Sequence, residues 1–213
     1  MKTDELISFL STQVEPVDRR HLARSIGMGV AVAAVAAIVV MLAALGPRTE
    51  AWDAHSLGYL VLKLLFTVGI VVPGTIYLVK LARPGGERRV RSTLLALPFI
   101  AIVLFAALAL CFASTVHWNR MIVGNQWLEC LVSIPLIAVV PFAILVWAVR
   151  KTAPTDLTRT GAFIGLTAGA ISATGYALHC VDDSLPFIAL WYGGTIALCT
   201  LAGAKLGPRL LRW

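Results

Sequence analysis

The chain has 213 residues, 59% of them hydrophobic and only 14% charged, with a formal net charge of +7. So few charges cannot cover the surface of a water-soluble domain of this size, which excludes a wholly soluble fold. The basic excess would suggest nucleic-acid binding in a soluble protein, but here it sits in short loops beside apolar runs, where it sets membrane topology.

Residues 1–24 precede the first apolar run and form a separate cytoplasmic segment. Thr3 caps a short helix, with Asp4 and Glu5 in the first turn, where the helix dipole favours negative charge. Leu6, Leu10 and Val14 recur every four residues beside Ile7 and Phe9, an amphipathic stripe that Glu15 and Pro16 end. A helix this short needs a surface to pack against. Asp4, Glu5, Glu15 and Asp18 outweigh Lys2 on its polar side, which suits a basic partner protein better than anionic lipid.

Six apolar runs follow, at about residues 25–45, 56–79, 93–113, 128–149, 161–178 and 186–204. Each is long enough for a hydrocarbon core of roughly 30 Å, which takes about 20 residues per helix. The expected fold is an all-α integral membrane bundle of six transmembrane helices, closed by a basic cytoplasmic tail at 205–213. The first run follows Arg19, Arg20 and Arg24 but has too long an apolar core for a signal peptide, so it is read as an uncleaved helix.

One side of this arrangement collects the basic residues: Arg19, Arg20, Arg24, Lys80, Arg83, Arg88, Arg89, Arg91, Arg150, Lys151, Arg159, Lys205, Arg209 and Arg212. Only Arg48 and Arg120 lie in the opposite loops. The positive-inside rule then puts both termini on the cytoplasmic side of a bacterial-type inner membrane, with membrane lipid as a partner of the bundle. Pro73 in the second run and Pro135 and Pro141 in the fourth predict kinks. Lys63 is the one cation inside a run; without a carboxylate in another span, it is expected to snorkel to the outer interface, the alternative being a buried partner or a transport role.

No phosphate loop, HExxH motif or CxxC pair occurs, and the four cysteines stand singly. Cys130 and Cys180 fall at one depth near the outer ends of the fourth and fifth runs. His179, Asp182 and Asp183 adjoin the second cysteine, Glu129 adjoins the first, and His117 lies in the preceding outer loop. Cys130, Cys180 and His179 form a candidate set for a transient soft metal ion. The same two thiols are equally candidates for a disulfide or for attack by an oxidant, or are ordinary small apolar residues. No resident cofactor is expected. A membrane thiol oxidoreductase would need a close dithiol, and a small transporter built around Lys63 would be expected to show internal repeats; neither pattern is present.

The chain resembles the NrsF-type family of polytopic membrane anti-sigma factors. The resemblance rests on residues 1–7, 17–20 and 153–155, and most strongly on Leu178, His179 and Cys180, on Asp182, Asp183 and Ser184, on Phe187, Trp191 and Tyr192, and on the ending 206–213. It implies a six-helix inner-membrane regulator, not an enzyme, that holds an extracytoplasmic-function sigma factor and binds no nucleic acid itself. It implies that Cys130 and Cys180 respond to metal or oxidative stress, and that the docking surface for sigma includes Asp4, Leu6, Ile7, Leu10 and Val14. Val181 stands where the family pattern has a proline after the second cysteine.

Overall fold

The structure is a computed structural model that describes residues 3, 5, 8, 9, 19–48, 53–83, 93–152 and 154–212. Thr3, Glu5, Ser8 and Phe9 are helical and exposed. Asp4, Leu6, Ile7, Leu10 and Val14 lie outside the described residues.

Among the described residues all regular structure is helical: α1 Arg19–Ala44, α2 Ala54–Leu81, α3 Thr93–Phe112, α4 Thr115–Val123, α5 Trp127–Arg150 and α6 Leu157–Tyr176, then α7 Leu185–Leu210. Local chemistry sets several of these ends. Asp53 starts α2 with a capping box: its carboxylate accepts from the Ser56 amide at 2.9 Å, and its own amide donates to the Ser56 hydroxyl. Hydrogen bonding by the Ser56 hydroxyl and amide holds the Asp53 carboxyl below its ordinary range. Asp156 accepts from the Arg159 amide at 2.9 Å and starts α6 four residues before the run expected from residue 161.

Two further features depart from expectation. The segment between the third and fourth runs is not a plain loop: it forms α4, with no buried residue, after Ser114 and before Gly124. Trp118 of α4 donates its indole N–H to the Leu110 carbonyl at 3.1 Å, folding the short helix back onto the end of α3. The last helix also contains a π-helical turn at Ile188–Tyr192, the kind of local widening that often marks functional positions.

Five stretches are long and apolar enough to cross a membrane: Leu22–Ala44, Ala54–Leu81, Thr93–Phe112, Thr115–Arg150 and Leu185–Leu210. Helix α6 is not among them, and its position explains why. It packs against α7, α2, α5 and α1, and every residue from Ile164 to Ala173 is buried. A helix shielded by its neighbours needs no apolar coat. Its polar side chains are satisfied internally: Thr160, Thr167, Ser172 and Thr174 each donate to the carbonyl four residues back.

Small residues let α6 and α7 approach closely. Gly161, Gly165 and Gly169 face Gly203, Gly207 and Cys199, and a methyl group placed on Gly169 would stand 2.9 Å from the Cys199 Cβ. By contrast, α3 sits at the edge of the bundle with only Leu95, Ile102 and Ala106 buried, and Leu94, Leu97, Ile100 and Val103 face outward. An apolar outer belt of this kind is a liability in water and a requirement in lipid.

The turns Gly46–Arg48, Gly124–Gln126 and 177–184 meet at one end of the bundle, hereafter the cysteine end. Arg24, Arg150, Arg159 and Arg209 lie on the helix ends furthest from it, so the charges divide along the bundle as the chain's loops suggest.

Candidate functional site

The site is built by the segment after α6. The helix closes as the Ala177 amide bonds to the Ala173 carbonyl, and the amides of His179 and Cys180 both bond to the Tyr176 carbonyl. That turn aims Cys180 back into the bundle. Residues 181–184 then run extended until Ser184 starts α7, its hydroxyl accepting from the Phe187 amide.

This extended stretch is clasped to the α4–α5 corner. The Asp182 carboxylate accepts from the backbone amides of Asn125 at 2.9 Å and Gln126 at 2.7 Å, the free donors ahead of α5. Gln126 returns the bond, its side-chain oxygen accepting from the Val181 amide at 3.0 Å. Ser184 donates to the Met121 carbonyl at 2.6 Å, and Trp191 to the Ile122 carbonyl at 2.9 Å. Gly124 makes the corner feasible: its φ is +65°, and a methyl there would stand 2.7 Å from both the Asp182 carboxylate and the Phe187 ring. Trp127 and Trp191 stack beside it, centroids 5.3 Å apart.

The clasp brings the two cysteines together. Cys130 lies one turn into α5, its amide bonded to the Gln126 carbonyl. It and Cys180 are both 0% exposed and belong to one buried cluster with Ile134, Tyr176, Phe187 and Tyr192. Both are free thiols. Tyr176 and Tyr192 lie over the site with ring centroids 6.0 Å apart. The Tyr192 hydroxyl lies within hydrogen-bonding reach of the Cys180 thiol, and the Tyr176 hydroxyl is buried with no partner among the described residues.

A second set of bonds ties the same turn to the first two helices. Asp183 receives Lys63 Nζ on one oxygen at 2.9 Å and Arg48 Nη2 on the other at 3.0 Å. Lys63 also donates to the Cys180 carbonyl at 3.2 Å. The His179 Nδ1 donates to the Gly46 carbonyl at 3.0 Å, and the Arg48 amide donates to the Leu178 carbonyl.

The expectation for Lys63 is therefore corrected. It does not snorkel: its side chain is 1% exposed and is paired with a carboxylate from the far end of the chain. The matching acid lies just outside the apolar runs, so a search for a carboxylate within another span misses it. The signal was nonetheless there, because an ionisable group inside a span calls for a partner wherever one can be supplied. Arg48 and Gln126, too, have roles here that nothing in their local sequence announces.

Other candidates separate. Cys130 and Cys180 are buried and His179, Asp182 and Asp183 half-buried at the cysteine end, whereas Glu129 and His117 are exposed, outside the buried cluster. Cys111 is exposed and Cys199 packs against Gly169. Among the described residues, no group of three or more His, Cys, Asp or Glu side chains is placed to share a metal ion. The chemistry on offer is that of two buried thiols and two phenols gathered in one apolar cluster.

Comparison with known proteins decides the family. The model of a family described as negative regulator of sigma F (NrsF) matches residues 10–213. The chain belongs to this family. The probable anti-sigma-F factor NrsF of Azospira oryzae is 30% identical over the full length of both chains, and so is the anti-sigma-F factor NrsF of Caulobacter vibrioides. No solved structure matches the chain. NrsF membership assigns a regulatory role, with a sigma factor as the regulated partner.

Proposed function

We propose that this NrsF-family protein is a six-span anti-sigma factor of a bacterial inner membrane, with both termini in the cytoplasm. It holds an extracytoplasmic-function sigma factor on its cytoplasmic side and releases it when Cys130 and Cys180 meet a thiol-reactive stress from the outer side. The observation that carries this reading is the joint burial of the two thiols in one cluster at the end remote from the basic helix ends. Helix α6 supplies the sixth span; its neighbours supply the lipid-facing surface it lacks.

The mechanism needs no catalysis. Closed, the clasp keeps both thiols from solvent, so a reagent reaches them only when residues 180–184 lift from the α4–α5 corner. A soft metal ion would take both sulfurs as thiolates, releasing two protons; an oxidant would take two electrons and two protons as the sulfurs join. Either product favours a different packing of α5 against α6, and it shifts the equilibrium only by its differential affinity for the two packings. A coupling of about 1–3 kcal/mol changes sigma affinity roughly 5- to 150-fold, enough for a switch. On the inner side, the acidic amphipathic stretch with Asp4, Leu6, Ile7, Leu10 and Val14 is the proposed dock.

Extraction in mild detergent tests the binding half. An extracytoplasmic-function sigma factor from the same genome should co-purify with the full chain, and should be lost when residues 2–15 are deleted. Sigma binding that survives the deletion would move the dock to the inner loops.

A further inference from the structure

The clasp accounts for one neighbour of Cys180; the ion triad on its other side has a separate consequence. Asp183 bridges Arg48, at the exit of α1, and Lys63, nine residues into α2. Lys63 grips the turn twice, at the Asp183 carboxylate and at the carbonyl of Cys180 itself. From that point the buried face of α2 runs without interruption through Phe66, Ile70, Gly74, Tyr77 and Leu78 to Leu81. At Gly74 it meets Thr167 of α6, close enough that a methyl would stand 2.7 Å from the threonine hydroxyl. An interface packed this closely passes displacement on and has little room to absorb it.

Charge makes the tie selective. An ammonium buried to 1% exposure needs a partner, and losing one side of a buried pair leaves the other side uncompensated. The turn that carries Cys180 therefore cannot lift away without either drawing Lys63 along or stranding it.

We infer that Lys63 is a positioning residue: through Asp183 and the Cys180 carbonyl it holds the sensing turn shut and links that turn to α2, so that opening at the cysteine end displaces the helix leading to the inner face. This rests on the sensor reading above, and it assigns the transmission path to α2 in addition to the helices that carry the cysteines.

The test uses the full-length protein in lipid nanodiscs, with Cys111, Cys130 and Cys199 replaced by Ser, Ser and Ala so that Cys180 alone reacts with a maleimide. Asp183→Asn and Lys63→Met should label roughly tenfold faster or more than the parent, since each opens the turn. Lys63→Arg, which keeps the charge and its donors, should label close to the parent rate. The double variant Lys63→Met with Asp183→Asn removes the ammonium that Asp183→Asn alone would strand and leaves Arg48 as it is in that single variant; it should label no faster than Asp183→Asn alone, because both act on one link. A companion protein with Cys199 as its sole cysteine should stay slow in every variant, which separates local opening from global unfolding.

Labelling of Cys180 that stays at the parent rate in Lys63→Met would overturn the tether, and faster labelling in Asp183→Asn alone would then assign the hold to Arg48. In the cysteine-intact protein, Lys63→Met should also lower sigma retention without stress. Faster labelling with unchanged retention would overturn the link to α2. A parent protein that retains no sigma at all would instead overturn the anti-sigma reading, leaving the labelling result to judge the tether.

Discussion

The two ends of α6 are held by opposite means. Towards the basic end, Gly161, Gly165 and Gly169 meet Gly203, Gly207 and Cys199 with almost no side chain between the backbones. At the cysteine end the chain leaves α6 and is held by discrete polar bonds: Asp182 to two amides, Gln126 to Val181, Asp183 to two cations. The first contact has no intermediate position, since backbone against backbone either fits or does not. The second is a set of separable bonds, each with a partner that can be lost and regained. A switch needs both, one part that yields and one that carries the displacement without yielding.

That contrast predicts a graded set of effects. The largest is at the glycine contact. Gly165→Leu would push a side chain into the Cys199 backbone, exceeding the about 1–3 kcal/mol typical of core overpacking. No monodisperse folded protein should survive detergent size-exclusion; a folded, sigma-retaining variant would break the comparison. Next is Asp182→Ala, which strips two amides of a charged acceptor at about 1.5–3 kcal/mol each before water replaces part of it. The protein should remain folded, at a lower Tm, with faster thiol labelling of both Cys130 and Cys180. A lowered Tm without faster labelling would mean that the clasp stabilises but does not seal.

The smallest effect is at Asp53, away from both regions. Its carboxyl is held below its ordinary range by Ser56, so its share of stability is present above the unfolded pKa and is lost as pH falls through the folded one. Asp53→Asn should lower Tm slightly at neutral pH, with the gap to the parent closing below about pH 4, near the unfolded carboxylate value. A gap that persists in acid would mean that cap geometry, not charge, does the holding.

Much of the bundle was legible in the chain because hydropathy and loop charge are local properties. Each apolar run emerges as a helix within a few residues, displaced where a cap such as Asp53 or Asp156 overrides composition. Helix α4 was missed because its stretch from Thr115 to Val123 carries too little apolar residue to register as a run, although Ser114 and Gly124 bracket it as helix ends. The site was legible only in part. Cys130, Cys180 and the acids after Cys180 declared themselves by depth and neighbourhood. The partnership of Lys63 with Asp183 did not, because 120 residues separate them and one member stands outside every apolar run. Nor does local sequence reveal that Gln126 faces Val181, a meeting that only the folded corner creates.

The most direct test of the central claim is sigma release in a reconstituted bilayer. Protein carrying bound sigma, in nanodiscs, would be exposed to the thiol oxidant diamide, and free sigma measured by its transfer to core RNA polymerase. The account predicts release from the parent protein and retention in Cys180→Ser and Cys130→Ser, each of which still binds sigma at rest. Release that proceeds equally in both serine variants would contradict it.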